Sequence, residues 1–265
     1  MIFEFYKYQG TGNDFIILDN MRGNYTDITE EQVNKLCDRR FGIGADGLML
    51  LQTKEGYNFE MIYFNADGKP GSMCGNGGRC IVKFASKMGI KKDEYLFLAV
   101  DGEHRAKVNL NKEVSLKMSD VSKVSFDKDH FVLNTGSPHY VKYVKALQKF
   151  NVEEEGKKIR NSKDFLEEGI NVNFVEEIDK DKIYVRTYER GVEDETFSCG
   201  TGVTAAALIA AHNDNGFNRV EIKTNGGDLN VEFQKVSDTQ FTNIWLSGPA
   251  VFVFKGEMKI KDKNV

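Results

Sequence analysis

The sequence is poor in the residues that build metal sites and disulfide frameworks. Its four cysteines (Cys37, Cys74, Cys80, Cys199) are too sparse among 265 residues for a disulfide scaffold and form no Cys-x-x-Cys pair. Four histidines occur (His104, His130, His139, His212), none at i,i+4 spacing, which argues against a zinc site. No apolar run approaches the roughly 18–20 residues needed to cross a bilayer. The opening Met1-Ile2-Phe3-Glu4-Phe5 has neither a basic n-region nor an apolar h-region, so the expectation is a cytoplasmic chain. Charge of one sign is lacking too: 36 basic against 40 acidic residues give −4, which argues against a nucleic-acid or membrane-surface partner. With 40% hydrophobic and 29% charged residues the chain can bury a sizeable core, and its length suits two domains of roughly 130 residues.

Against this background two short segments stand out, Cys74-Gly75-Asn76-Gly77-Gly78 and Cys199-Gly200-Thr201-Gly202-Val203, 125 residues apart. Each runs into a stretch of helical character and so puts a sulfur at a helix N-terminus. The same offset relates Gly44 to Gly169, Asn65 to Arg190, and Asp101-Gly102-Glu103 to Gly226-Gly227-Asp228; Thr11-Gly12-Asn13 matches Thr135-Gly136-Ser137 with a slip of one. Matches held in register over about 90 residues indicate an internal duplication.

Alternation of apolar and polar residues predicts strands at Phe3–Tyr8, Phe15–Leu18, Leu48–Gln52, Asn58–Phe64, Tyr95–Val100, Arg105–Leu110 and Glu113–Met118. The second half predicts Val172–Glu176, Lys182–Tyr188, Val220–Thr224, Asn230–Gln234, Phe241–Leu246 and Val251–Phe254. A helix over Glu30–Arg39 has a capping box, Thr29 with Gln32. Two further helices are expected at Gly78–Met88 and Gly202–His212, the second apolar nearly all round and therefore buried. The fold class that follows is α+β: two pseudo-symmetric domains from a duplication, each a curved, mainly antiparallel β-sheet wrapped around a central helix. The expected boundaries are 1–120, carrying Cys74 and joined by the last strands at about 250–265, and 121–249, carrying Cys199.

A helix N-terminus offers unpaired N–H groups and a positive partial charge that favour thiolate. The dipole contributes roughly 0.3–1 kcal/mol, up to ~2 when partly buried, against about 1.36 kcal/mol per pKa unit. That leaves appreciable thiolate near neutral pH but no strong base. Abstraction of a carbon-bound proton then depends on desolvation and on stabilising the carbanion. Gly75, Gly77, Gly200 and Gly202 suit that task, because consecutive N–H groups at a glycine-rich helix start form an anion nest for an α-carboxylate. One thiolate takes the proton from one face while the other cysteine, as a thiol, donates to the opposite face. The centre inverts without need of pyridoxal phosphate, and the pair titrates as a unit.

The motifs Gly12-Asn13-Asp14-Phe15, Phe64-Asn65-Ala66-Asp67-Gly68, Met73-Cys74-Gly75-Asn76-Gly77-Gly78-Arg79, Gly136-Ser137-Pro138-His139, Asn171-Val172-Asn173-Phe174, Tyr188-Glu189-Arg190-Gly191 and Ser198-Cys199-Gly200-Thr201-Gly202 closely resemble those of the diaminopimelate epimerases, in the same order. The resemblance implies interconversion of LL- and meso-diaminopimelate for lysine and peptidoglycan synthesis, with no cofactor and no metal, usually in a homodimer. It implies that Cys74 and Cys199 are the acid/base pair, and that Gly75, Asn76, Gly200 and Thr201 hold the reacting carboxylate. Asn13, Asn65, Asn171 and Arg190 then grip the distal end, and Glu189 takes a distal ammonium. Two positions depart from the family pattern. Ser137 stands where many members have asparagine, and Gly47 where some have glutamine.

Blander readings exist for several of these residues. Cys37 and Cys80 read as small core hydrophobes. Asn13 and Asn65 in isolation would be turn residues, Glu189-Arg190 a surface ion pair, and His139 either orients a sulfur or packs after Pro138. The rival functions are a proline or hydroxyproline racemase with the same cysteine pair, a thiol redox switch, and a non-catalytic binding module. The racemase is disfavoured because proline has no second charged end for Asn171, Glu189 and Arg190 to hold.

Overall fold

The computed structural model describes residues 1–71, 73–212 and 215–260, and the chain divides into two compact units, Met1–Leu116 with the chain from Pro249 onward, and Lys117–Gly248. The first contains β1 (Ile2–Gly10), β2 (Asn13–Asp19), α1 (Glu30–Cys37), β3 (Gly47–Gln52), β4 (Phe59–Asn65), α2 (Gly75–Lys87), β5 (Tyr95–Ala99), β6 (Gly102–Val108) and β7 (Val114–Lys117). The second contains β8 (Val124–Asp127), β9 (His130–Asn134), β10 (Pro138–Tyr143), α3 (Val152–Arg160), β11 (Asn171–Asp179), β12 (Lys182–Glu189), β13 (Asp194–Thr196), α4 (Gly200–Ile209), β14 (Gly216–Thr224), β15 (Gly227–Ser237) and β16 (Gln240–Gly248). The last strand, β17 (Val251–Lys259), belongs to the first unit.

Strand pairing repeats element for element. In the first unit β1/β2 are antiparallel, β2/β3 parallel, β3/β4 antiparallel, β4/β5 parallel, and β5/β6 and β6/β7 antiparallel. In the second the same sequence runs through β9/β10, β10/β11, β11/β12, β12/β14, β14/β15 and β15/β16. The far side of β1 is covered by β17 and the far side of β9 by β8, both antiparallel. The result is an α+β fold of mixed sheets in which antiparallel pairs predominate.

Backbone conformation carries the duplication further than residue identity does. Gly12 and Gly136, Gly44 and Gly169, and Gly102 and Gly227 all have positive φ. So do Gly56 (φ 82°) and its counterpart Asp181 (φ 55°), and Gly68 (φ 92°) and its counterpart Glu193 (φ 60°). Asp181 and Glu193 keep a left-handed turn after the glycine that suits it has gone.

The capping box of α1 forms as its sequence predicts, with Gln32 N–H donating to Thr29 Oγ1 (3.2 Å) and Thr29 N–H to Gln32 Oε1 (3.0 Å). The other two predicted helices start earlier than expected, at Gly75 rather than Gly78 and at Gly200 rather than Gly202, and α4 ends at Ile209 rather than His212. Glycine is a poor helix former by about 1 kcal/mol per residue, but packing decides here. A Cβ at Gly78 would lie 2.9 Å from Met73 Sδ and 3.0 Å from Leu116 Cδ1. Helix α3 and strands β8 to β10 have no counterpart among the predicted elements.

Each central helix lies against its own sheet. In α4, Val203, Ala205, Ala206, Ala207 and Leu208 are all buried, and the helix packs on β9, β10, β11, β12, β14, β15 and β16. Small alanine side chains let the strands approach on every side, and burial of each larger residue contributes roughly 1.5–3 kcal/mol. Helix α2 packs on β1, β2, β3 and β6 and keeps an amphipathic pattern, with Ile81, Val82, Phe84 and Ala85 buried.

Candidate active site

Both singled-out cysteines are N-cap residues in extended conformation, Cys74 (φ −103°, ψ 149°) of α2 and Cys199 (φ −109°, ψ 113°) of α4. At this position the residue has left the helix; the Cys74 side chain caps the first turn, whereas that of Cys199 makes no cap hydrogen bond. Cys74 Sγ accepts from the Gly77 N–H at 3.2 Å and lies 3.8 Å from Asn13 Oδ1. Asn76 Nδ2 donates to the same Asn13 oxygen at 3.4 Å. Cys74, Gly75, Asn76 and Asn13 are therefore gathered at one helix start. Asn13 is fixed from behind by its Nδ2 bond to Asp46 Oδ2 (2.5 Å). Next to it, Asp14 is half-buried, which opposes its ionisation, but Arg39 (2.6 Å) and Lys7 (2.5 Å) outweigh this and hold the carboxyl below its usual range.

Asn65, at the exposed end of β4, heads a turn in which its carbonyl accepts from Gly68 N–H (2.9 Å). It is a turn residue that also leaves its side chain on the surface. Opposite it in register is Gly47, one of the two departures from the family pattern. A Cβ at Gly47 would come within 2.6 Å of the Tyr63 hydroxyl, and one at Gly71 within 2.7 Å of the Tyr63 ring. Tyr63 fills the space that a longer side chain at position 47 would need.

In the second unit Cys199 is buried and its Sγ lies 3.5 Å from Thr201 Oγ1. The Thr201 carbonyl accepts from Thr135 Oγ1 at 2.8 Å, which ties the start of α4 to the Thr135–Ser137 turn. From that turn Ser137 Oγ accepts from Asn171 Nδ2 (2.8 Å) and from Arg190 Nη2 (3.5 Å). Arg190 N–H donates to Asn171 Oδ1 (2.9 Å), and its Nη1 to the Glu168 carbonyl (2.8 Å). Asn171, Arg190, Cys199, Gly200 and Thr201 thus share one connected framework, with Ser137 as the link. Glu189, beside Arg190 at the end of β12, has its carboxyl pushed up by burial, against a contact with Thr196.

Two polar residues of the family-like motifs to which no substrate contact was assigned, Asn173 and His139, lie inside this framework. Asn173 is fully buried; its Oδ1 accepts from Thr187 Oγ1 (3.0 Å), and its Nδ2 donates to Tyr140 O (3.0 Å) and His139 Nδ1 (3.1 Å). A Cβ on Gly202 would run into Asn173 Oδ1, so the first turn of α4 needs glycine there. Burial and the Arg190 cation drop the His139 pKa from 6.5 to about 3. With Nδ1 accepting, the proton of this neutral imidazole is on Nε2, which is buried and has no hydrogen-bond partner among the described residues. Cys37 and Cys80 are core thiols, each pushed up to about 12 by burial. Among the described residues no group of three or more His, Cys, Asp or Glu side chains could hold a metal ion, and no helix is long and apolar enough to cross a membrane.

The sequence profile described as diaminopimelate epimerase matches residues 5–124 and 131–253. Diaminopimelate epimerase of Flavobacterium psychrophilum is 49% identical over 251 residues, covering 94% of this chain and 98% of that protein. The Chlorobaculum tepidum enzyme of the same name is 44% identical, covering 95% and 99%. Among solved structures, a phenazine biosynthesis protein of the PhzF family from Bacillus anthracis shares the fold, with a TM-score of 0.73 at 18% identity and coverage of 98% of this chain and 100% of that one. The chain belongs to the diaminopimelate epimerase family.

Proposed function

We propose that this chain is an isomerase that interconverts LL- and meso-diaminopimelate, with Cys74 and Cys199 as the two proton-transfer groups. The observation that carries the mechanism is the placement of both cysteines as N-caps of equivalent central helices within a duplicated framework. In one direction the thiolate of one cysteine takes the α-proton, and the carbanion's charge is spread into the α-carboxylate. The thiol of the other then delivers its proton to the opposite face. One S–H bond forms and one breaks, so each turnover exchanges the protonation states of the pair. The helix-start groups of Gly75, Asn76, Gly200 and Thr201 receive the α-carboxylate, where the positive end of the helix dipole favours developing negative charge. Asn13, Asn65, Asn171 and Arg190 take the distal end, Arg190 as the cation for its carboxylate and Glu189 as the anion for its ammonium.

The product serves lysine and peptidoglycan precursor synthesis, in the cytoplasm. Each compact unit acts as a domain carrying one cysteine. A homodimer is the working assembly; in the first unit, Ile2 and the run Val251 to Phe254 leave apolar side chains on the surface that a second copy would cover.

The decisive experiment follows α-deuterium incorporation from D₂O into LL-diaminopimelate, with Cys74→Ser and Cys199→Ser measured separately in reducing buffer. Each substitution removes a proton-transfer group and should cost epimerisation at least about 10²–10⁴-fold. Full activity in either variant would rule out the two-thiol mechanism, and turnover of proline but not diaminopimelate would overturn the substrate. Because the thiols titrate as a pair, rate against pH should be bell-shaped, and a flat profile between about pH 6 and 9 would contradict it.

A further inference from the structure

The largest side chain wholly removed from water among the described residues is a cation, Arg79, on the second turn of α2. Its guanidinium donates to Asn76 Oδ1 (2.9 Å), Thr11 Oγ1 (3.1 Å), Pro249 O (3.2 Å) and Gly75 O (3.4 Å). All four acceptors are neutral. Burial lowers the Arg79 pKa, and the Cys80 and Cys74 sulfurs followed by Glu113 oppose that. Arginine stays protonated in proteins regardless. A whole positive charge therefore sits in the interior with no carboxylate bound to it among the described residues. Such a charge is costly by several kcal/mol unless something nearby compensates.

Two sulfurs are near enough to respond. A Cβ at Gly10 would lie 3.4 Å from both Arg79 Nη2 and Cys80 Sγ, so guanidinium and thiol share the same wall of β1. Cys80 is fully buried and pushed up to about 12, so it remains a thiol. Cys74 is less buried and accepts the Gly77 N–H of the helix start in addition. The other ionisable groups on the elements around α2 are engaged or neutral. Lys7 on β1 pairs with Asp14 on β2, Arg105 and Lys107 on β6 pair with Glu94, and His104 with Asp101. Tyr8 on β1 is pushed up to about 12 by burial, and β3 carries no ionisable residue. On α2 itself Lys83 donates to the Lys112 carbonyl at 2.5 Å, and Lys87 lies over the Phe252 ring. Besides the Glu113 carboxylate, the Cys74 sulfur is the group at this helix start whose ionised form the Arg79 charge favours.

We propose that Arg79 is a positioning residue for the Cys74 half of the site, clamping Asn76 and the Gly75 carbonyl at the helix start while its charge draws Cys74 toward thiolate. The second unit lacks this device. Its equivalent residue is Thr204, whose hydroxyl donates to Gly200 O (2.9 Å), the counterpart of the Gly75 carbonyl. The resting enzyme accordingly holds Cys74 as thiolate and Cys199 as thiol, and is poised to take the proton on the Cys74 face first. The catalytic meaning rests on the two-thiol function above; the acidity of Cys74 does not.

The test measures thiol ionisation directly, from the pH dependence of iodoacetamide alkylation mapped by peptide mass. Cys74 is read in a Cys199→Ala chain and Cys199 in a Cys74→Ala chain, each with Arg79, Arg79→Lys or Arg79→Met. With Arg79 present, Cys74 should half-ionise at lower pH than Cys199. Arg79→Met should raise the Cys74 midpoint by one pH unit or more, about tenfold less thiolate below the midpoint, and leave that of Cys199 in place. Arg79→Lys should keep the Cys74 midpoint within about half a unit. In a chain with both cysteines it should lower kcat with little change in KM, since one ammonium with three donors cannot hold four oxygens in the same geometry. An unchanged Cys74 midpoint in folded Arg79→Met, or an equal shift at Cys199, would overturn the proposal. Should Arg79→Met fail to fold, a Cys74 midpoint raised by a full unit in Arg79→Lys would do so instead. Alkylation needs no substrate, so failure to turn over diaminopimelate would refute the function and leave this result standing.

Discussion

At the second turn of its central helix the first unit carries Arg79 and the second carries Thr204, and both reach back to the same carbonyl of the duplicated framework, Gly75 in one and Gly200 in the other. The reverse exchange occurs in the surrounding sheets. The second unit buries a neutral polar pair, Asn173 and Thr187, where the pairing register of the first unit has apolar Leu48 and Phe64; the counterpart of His139 there is the ion-paired Asp14. Backbone geometry has been kept in both halves, left-handed turns included, and interior polarity has been redistributed. A duplicated fold can thus present two cysteines at the same N-cap position within different electrostatic surroundings. A two-base inversion calls for that combination, because its two sulfurs must differ by one proton.

The largest expected effect comes from the paired glycines of the two helix starts. Gly202→Ala would displace the buried Asn173 amide and strand the partners it satisfies. Overpacking at about 1–3 kcal/mol together with an unsatisfied buried polar group at about 1–3 kcal/mol gives a loss of about 2–6 kcal/mol. Gly77→Ala brings its Cβ to 3.3–3.5 Å from Cys74 Sγ, Met49 Sδ and Phe15 Cζ, an adjustment that should cost about 1 kcal/mol or less. Urea denaturation of both variants checks this, and equal losses would erase the distinction between the two helix starts. Next in size, Leu208→Ala in the uniformly apolar α4 should cost about 2–5 kcal/mol, read from the same melts.

Acid should separate the units as well. The His139 pKa is near 3 in the fold and about 6.5 when unfolded, so the unfolded chain binds the extra proton between those values and stability falls as pH drops through that window. Asp14 in the first unit is held below its ordinary 3.8, so its contribution is complete above that pH and is lost only on further acidification through its folded pKa. Hydrogen exchange at about pH 5 should show β10 and β11 opening before β1 and β2; the opposite order would refute this assignment. The smallest effects belong to exposed caps. Thr29→Ala in α1 and Asn151→Ala in α3, whose side chain accepts from Glu154 N–H (3.3 Å), should each cost about 0.5–2 kcal/mol.

The duplication, the two cysteine-bearing helices and the capping box of α1 were legible in the sequence, because each leaves a local signature in glycine spacing or apolar periodicity. Helix α3 was not. Only Val152 and Gly156 of its nine residues are buried, too few to mark an apolar face. Strands β8 and β9 leave Phe126 and neighbouring positions exposed, which blurs the alternation that marks a half-buried strand. Within the first unit Asn13 and Asn76 meet at Cys74, and within the second Asn171 and Arg190 meet at Ser137. Arg79 was invisible as an interior group because a charge on an amphipathic helix reads as a solvated face, and only the neutral oxygens around it reveal otherwise. Asn173 was hidden for a similar reason, as one polar residue inside an apolar strand whose value depends on partners in β10 and β12.

The strand β17 also bears on the order in which a growing chain can acquire structure. It covers one side of β1, whereas the matching strand of the second unit, β8, comes immediately before β9. During synthesis the N-terminal unit is therefore left with an exposed strand edge until Val251–Lys259 emerges, while Lys117–Gly248 already holds every strand it needs. The half of the protein made first is the half finished last. Ribosome-bound chains stalled after Gly248 should protect Cys199 from alkylation before β1 resists proteolysis.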